Sequence, residues 1–248
     1  MAKRDPWLSV VIPAYNEAQR LPPSLGTILQ YLQNRDFTWE IVVVDDGSED
    51  GTSEVAREIL DGSGPHQILR NDPNRGKALS VVRGLQESRG EVRLFSDADL
   101  STPIHEADRL LEAIRDGADV AIASRQLPGS VIETPQPWHR QLAGQAFGLF
   151  NQIVLLPGIP DSQCGFKAFT RQAVTQILPY RRLTGWAFDA ELVFIARRLG
   201  LQIAQIPVHW RNSPDTKVNM WVDGPKMVFD LLRIRWIHRD LKPEDDRE

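Results

Sequence analysis

The sequence predicts an α/β fold: a mostly parallel, Rossmann-like sheet with helices on its faces. Three observations carry that expectation. Short runs such as "LSVVIP" (8–13) and "EIVVVDD" (40–46) stay apolar on successive residues, which suits strands covered on both sides. Helical patterns separate the runs, as right-handed crossovers between parallel strands require. Several runs also close on polar groups: Asp45 and Asp46, Asp97 and Asp99, Ser124 and Arg125. Ligands of open α/β sheets bind beyond the carboxyl ends of the strands.

Taken in order, strands are expected at 8–13, 40–46, 67–71, 92–99 and 119–125, with helices at 18–33, 52–60, 77–88 and 104–116. Beyond residue 126 the pattern loosens. "LPGSVIETPQPW" reads as a long loop containing prolines, and "RQLAGQAFGLFNQIVLL" as a helix. "GWAFDAELVFIARRLG" is a second helix, with Gly200 as its C-cap, and "QIAQIPVHW" is a late strand. A last helix is expected over roughly 224–241. Residues 243–248, acidic and polar, are expected to be disordered. Residues 1–218 then form a catalytic domain, and 219–242 a C-terminal helix open to a membrane surface or a second copy.

A chain of 248 residues can bury a full α/β core. Its net charge of −4 offers no basic field, so no nucleic-acid partner is expected. The single cysteine, Cys164, excludes an internal disulfide and a cysteine-cluster metal site. "MAKRDPWLSVVIP" lacks the apolar core of a signal peptide. The longest uncharged stretch, 141–160, carries four amide side chains and two prolines. A spanning helix needs about 20 mostly apolar residues, so none is expected.

Four short strings carry chemistry. "IPAYNE" (12–17) ends the first strand without a G-x-G-x-x-G turn, so no dinucleotide fingerprint is present. Tyr15 there can stack on a base or simply belong to a loop. "VVVDDGSEDGT" (42–52) places Asp45 and Asp46 before two turn glycines; these acids can accept hydrogen bonds from a nucleoside or cap a helix. Lys77 in "NRGKA" lacks the earlier glycine of a P-loop. In "FSDADLSTP" (95–103), Asp97 and Asp99 are like charges at a strand end, unfavourable together without a cation. They suit Mg²⁺ or Mn²⁺ bridging to a diphosphate, since hard oxygen ligands suit hard cations. The same string admits a phosphatase of the haloacid dehalogenase kind with Asp97 as nucleophile, although that family carries its motif on the first strand. It also admits a capped helix start.

The order of these strings resembles that of inverting family 2 glycosyltransferases of the GT-A fold. "ASRQLPGS", "DSQCGFKAFTR", "GWAFDAEL" and "IPVHW" extend the likeness to polyprenyl-phosphate sugar synthases, above all the dolichyl-phosphate glucosyltransferase branch, over about 8–218. The resemblance implies that Pro13, Ala14, Tyr15, Glu17, Asp45 and Asp46 contact the nucleoside. It sets Lys77 near the phosphates, with Ala98 between the metal-binding Asp97 and Asp99. Ser101 stands where mannose-transferring relatives often carry a glutamine ligand, and Ala78 where a glycine commonly follows the lysine. Arg125 and Arg140 are expected to hold the acceptor phosphate, whose oxygens match a guanidinium fork. Lys217 would close on the diphosphate from a loop, and Asp189 and Glu191 would shape the sugar or acceptor end.

The implied reaction moves glucose from UDP-glucose to a dolichyl or undecaprenyl phosphate with inversion. A phosphate acceptor is already anionic near neutrality, its second pKa being about 6, so no general base is needed. GDP-mannose is the alternative donor. A saccharide acceptor would instead need a base such as Asp189, and a sugar-nucleotide sensor would bind without turnover. The helix at 141–156 gathers Gln141, Gln145 and Gln152 within about 40° of arc, the rest being apolar, which suits a membrane interface. The last helix interleaves Trp236 with Arg233, Arg235 and Arg239. A peripheral protein at the cytoplasmic face, where sugar nucleotides reside, is expected; a buried helix or a homodimer contact would explain both segments too.

Overall fold

The computed structural model describes residues 5–134, 138–212 and 220–242, the side chains of 138–140 and 220–222 excepted. Strands β1 (Leu8–Ala14), β2 (Trp39–Asp45), β3 (His66–Arg70), β4 (Val92–Ser96) and β5 (Val120–Ser124) alternate with helices α1 (Leu21–Gln33), α2 (Thr52–Leu60), α3 (Lys77–Glu87) and α4 (Ala107–Arg115). Each stands where the apolar pattern placed it. The sheet takes the order β3-β2-β1-β4, then β7 (Phe166–Thr170), β5 and β8 (Ile203–Pro207).

The strand alternation sorts side chains between two cores. Leu8, Val10, Ile12, Ile41 and Val43 pack under α1, α2 and α4, whereas Val11, Val42 and Val44 pack under α3. Gly84 lets α3 lie close on that second face: a Cβ there would stand 2.3 Å from Val11 Cγ1.

The sequence reading missed β7. It runs antiparallel to both β4 and β5, pairing Ser96 with Phe166 and Phe95 with Lys167. Its "FKAFT" pattern holds a lysine in mid-strand, which breaks the apolar run that marks a buried strand. Strand β6 (Val131–Thr134) stands where the prolines predict a loop, and it pairs with β9 (His209–Arg211) in a separate two-stranded ribbon. All four β6 residues are exposed, so no buried apolar side marks it.

Helices α5 (Trp138–Val154), α6 (Arg171–Ile177), α7 (Phe188–Arg198) and α8 (Met220–Ile237) complete the fold. Gly200 ends α7 as expected. With φ +77°, its N–H reaches the Arg197 carbonyl at 3.1 Å and the next N–H reaches Ala196 at 3.0 Å, a Schellman closure. Helix α8 begins four residues earlier than the expected 224 and takes Pro225 inside it. Leu231 and Ile234 join it to the core beneath α7, and Arg235 Nη1 donates to the Val154 carbonyl of α5 at 2.7 Å. The expected tail, 243–248, lies outside the described residues.

One buried acid braces the far end of the sheet. Glu40 is fully buried and accepts from Ser9 Oγ at 2.7 Å, Arg89 N at 2.6 Å and Arg89 Nη2 at 2.7 Å. Burial alone would raise its pKa, but these donors overturn that and hold the carboxyl below the ordinary 4.5. Its stabilisation is therefore full above pH 4.5 and is lost as pH falls through the lower folded value. Glu40→Gln is expected to cost about 2 kcal/mol at pH 7, the worth of charge-assisted bonds. Thermal melts between pH 7 and 3 should show a shallower acid-side fall in the variant than in the wild type.

Candidate active site

The chain leaves β1 for β2 on one side and later returns to place β4 on β1's other side. This reversal is the switch point at which open α/β sheets bind ligands. A cavity of about 960 Å³ opens there, lined by the ends of β1 and β4, the start of α3, and residues of α5 and α8. Pro13, Ala14, Tyr15, Glu17, Asp46, Lys77, Asp97, Ala98, Asp99, Arg125 and Asp189 all line it.

The nucleoside end is built by stitching two loops together. Asn16 N donates to Ser48 Oγ at 2.9 Å, and Glu17 N to Thr52 Oγ1 at 2.9 Å. The Glu17 carboxylate is gripped by Arg20 through Nε at 2.7 Å and Nη2 at 2.6 Å. The two adjacent acids divide their work. Asp46 lines the cavity and accepts from Arg75 N at 3.0 Å and Gly76 N at 2.7 Å, shaping the turn from which Lys77 starts α3. Asp45, expected as a nucleoside contact, does not line the cavity. It is fully buried, receiving Ser48 N at 2.8 Å, Arg70 Nη1 at 2.7 Å and the Ser53 hydroxyl. Burial would raise its carboxyl; those bonds hold it below the usual range.

Asp97 and Asp99 occupy the turn after β4. Leu100, in the left-handed region at φ +47°, donates its N–H to the Asp97 carbonyl at 3.2 Å, and Ser101 N caps Asp99 Oδ1 at 2.9 Å. Because β7 is antiparallel, its start lies beside the end of β4, and Asp97 N donates to the Gly165 carbonyl at 3.1 Å. A Cβ on Gly165 would lie 2.0 Å from Asp97 Oδ2. Only glycine leaves space for that carboxylate.

On its other oxygen, Asp97 Oδ1 meets Lys77 Nζ at 2.6 Å. Burial alone would lower the Lys77 pKa; Asp97 and Asp189 outweigh it and raise it, so the ammonium stays charged. The position thus attracts a cation, and its all-oxygen donor pair fits a hard divalent ion. Among the described residues no cluster of three or more histidine, cysteine, aspartate or glutamate side chains could hold a metal. Further coordination would fall to the diphosphate and water.

Behind this pair lies a second, buried cation. Lys167 is fully buried, donating to the Cys164 carbonyl at 2.5 Å and to Asp189 Oδ1. Burial raises the Asp189 carboxyl above its ordinary value, with Lys167 and Lys77 pulling against it. Burial likewise pushes the Cys164 thiol up to about 11, so it is an uncharged packing residue at neutral pH.

Arg125 is bound to Asp161: its N–H and Nε reach Oδ2 at 2.9 and 2.7 Å, and Nη2 reaches Oδ1 at 2.8 Å. The guanidinium also lies 5.5 Å from the Trp210 ring centroid. Nη1 has no partner among the described residues. Arg140 sits in the first turn of α5 with its side chain outside the described residues, and Lys217 lies outside them altogether. Glu191, expected at the sugar or acceptor end, faces away from the cavity. It accepts from Arg182 N and Leu183 N at 2.8 Å each and bonds Nε2 of His238, the residue after α8, at 2.8 Å. Fully buried and outside the cavity lining, this helix acid serves the fold.

Sequence reasoning assigned no role to Arg20, Asp161, Gly165 or Lys167. Lys167 carried a signal, since a charge inside a strand-length apolar run demands a buried partner.

The chain belongs to glycosyl transferase family 2, whose model matches residues 9–178. It is a glycosyltransferase. Its relatives narrow the comparison: it is 35% identical to the dolichyl-phosphate beta-glucosyltransferase of Homo sapiens over 92% of this chain and 74% of that one. The Dictyostelium discoideum enzyme of the same name is 32% identical over 93% and 74% of the respective chains. The fold is shared with mannosyl-3-phosphoglycerate synthase from Rubrobacter xylanophilus, at TM-score 0.70 and 22% identity over 97% of this chain and 77% of that one. It is shared too with glucosyl-3-phosphoglycerate synthase from Mycobacterium tuberculosis in complex with Mn²⁺, UDP and glucosyl-3-phosphoglycerate, at TM-score 0.66 and 19% identity over 92% and 80%.

Gly165→Ala is expected to push the Asp97 carboxylate aside. Misplacement of about 1 Å costs on the order of a hundredfold in rate, while overpacking costs about 1–3 kcal/mol. Sugar-transfer rates and thermal melts on the same preparation would separate the two.

Proposed function

We infer that the protein transfers glucose from UDP-glucose to a polyprenyl phosphate, dolichyl or undecaprenyl, giving a β-linked lipid-phosphate sugar. The observation that carries this is the meeting of the acidic pair Asp97–Asp99 and the fork of Arg125 in one cavity that residues of α5 and α8 also line. The named activities of the relatives support the acceptor and the sugar.

Tyr15, Glu17 and Asp46 hold the nucleoside end, and Lys77 meets the diphosphate. Asp97 and Asp99 would hold Mg²⁺ or Mn²⁺, which when bound neutralises charge gathering on the departing diphosphate. Arg125, kept straight by Asp161, presents Nη1 to the acceptor phosphate, and Arg140 and Lys217 join from α5 and from the segment after β9. An acceptor phosphate oxygen attacks the anomeric carbon from the side opposite the diphosphate. The new carbon–oxygen bond forms as the old one breaks, and the electron pair leaves with UDP. No proton moves, so Asp189 need not act as base; its bond to Lys167 sets the cavity floor near the sugar.

The lipid tail approaches over α5 and α8. Leu149 and Ile153 on α5 and Phe229, Leu232 and Trp236 on α8 are exposed, Ile153 by 70% and Trp236 by 67%. Arg233, Arg235 and Arg239 are exposed beside them, a composition suited to an anionic membrane surface. No helix among the described residues is long and apolar enough to cross a membrane. We place the protein at the cytoplasmic face of a membrane, where its donor resides.

Incubation with Mg²⁺ or Mn²⁺, labelled UDP-glucose or GDP-mannose, and polyprenyl phosphate should move label into the organic phase from UDP-glucose. Asp99→Ala should abolish that transfer with the melting temperature kept. Label released only as free sugar would refute the acceptor, and full turnover after chelation would refute the metal. Trp236→Glu should weaken sedimentation with vesicles rich in anionic lipid several-fold, while leaving donor affinity unchanged.

A further inference from the structure

Three cations surround the acidic pair, and they differ in freedom. Lys167 is fully buried and fixed between the Cys164 carbonyl and Asp189. Arg125 is committed to Asp161 through three donors. Lys77 is 28% exposed, much as Arg125 is at 27%, but it is held at its ammonium by a single contact, to Asp97 Oδ1 at 2.6 Å, where Arg125 has three. It starts α3 directly after Gly76, whose φ is +89°, and its ammonium lies 5.4 Å from the Phe95 ring centroid. The other Asp97 oxygen occupies the space that a side chain on residue 165 would fill.

We propose that Lys77 is a built-in counter-cation, which holds the divalent-ion position on Asp97 in the donor-free protein and gives it up only when a nucleoside diphosphate arrives to receive the ammonium. This rests on the acidic pair being the metal site. An ion arriving alone must displace the ammonium from Asp97 Oδ1 and then sit beside an unpaired positive charge. An ion arriving with a diphosphate meets a lysine that has new oxygens to bind. Metal and nucleotide thereby enter as one unit, and each tightens the other by the same factor. The lysine also keeps Asp97, Asp99 and Asp189 from repelling one another while the cavity is empty of donor.

The test is Mn²⁺ binding to the full chain, read from the paramagnetic signal of the free ion, without nucleotide and with saturating UDP. Wild-type protein should bind Mn²⁺ weakly alone and at least about tenfold more tightly with UDP, within the usual range of coupling between sites. Lys77→Met should bind Mn²⁺ alone about tenfold more tightly than the wild type and gain little from UDP. Lys77→Arg, which keeps the charge, should behave as the wild type. Mn²⁺ alone should raise the melting temperature of Lys77→Met but not of the wild type, and Lys77→Gln carries the same comparison should the methionine variant not fold. The proposal is overturned if Lys77→Met and Lys77→Gln bind free Mn²⁺ no better than the wild type while UDP-dependent binding persists, or if Lys77→Arg gains as much as Lys77→Met. Failure of the wild type to bind Mn²⁺ even with UDP would instead remove the metal assignment, and the proposal with it.

Discussion

The site turns on a carboxylate with one oxygen tucked against a glycine and the other on a lysine. Asp97 stands where the last residue of a parallel strand meets the first residues of an antiparallel one, with a glycine carbonyl holding its amide and the missing side chain of that glycine housing one of its oxygens. Strand direction causes this. Had β7 run parallel to β4, its start would lie at the opposite edge of the sheet, and residues 161–165 would be far from the acids. The inserted antiparallel strand brings Asp161, Cys164 and Gly165 to the carboxyl edge and buries Lys167 one step behind it. A single reversal thus supplies the partner of Arg125, the space for Asp97 and the cation beneath Asp189.

Charge around this carboxylate is arranged in tiers. Lys167 and Asp189 form a dry pair below, and Arg125 with Asp161 forms a second pair at the side. Isolated charges at such depth would be too costly to keep ionised, whereas pairs with added backbone bonds are tolerated. Each pair is close to neutral as a unit, which leaves the acidic pair as the place where a further cation is drawn in.

Most of the sheet was legible in the sequence because its strands are buried on both faces and their apolar runs are unbroken. The strands that escaped notice break that rule in opposite ways: β6 has no buried face, and β7 carries Lys167 in its middle. The acids after the strands were legible as candidates, and Asp46, Asp97 and Asp99 reach the cavity, as does Asp189 from the first turn of α7. Adjacency on the chain misled at two places. Asp45 neighbours Asp46, yet the strand pleat turns it inward to Ser48, Ser53 and Arg70; Glu191 lies two residues after Asp189, which on a helix is more than half a turn away. Partners remote in sequence, such as Asp161 for Arg125 over a separation of 36 residues, carry no local periodicity from which to be read.

The bond between Glu191 and His238 ties parts of the molecule that a linear description keeps apart. Through it the outermost helix, the backbone at 182–183 and the helix carrying Asp189 are braced as a truss. Trp186 looks into the cavity from just beyond that brace, and Trp236 points outward two residues before His238. The helix that carries the outward Trp236 is thus fastened, through His238 and Glu191, to the segment that leads to Trp186 at the chamber wall.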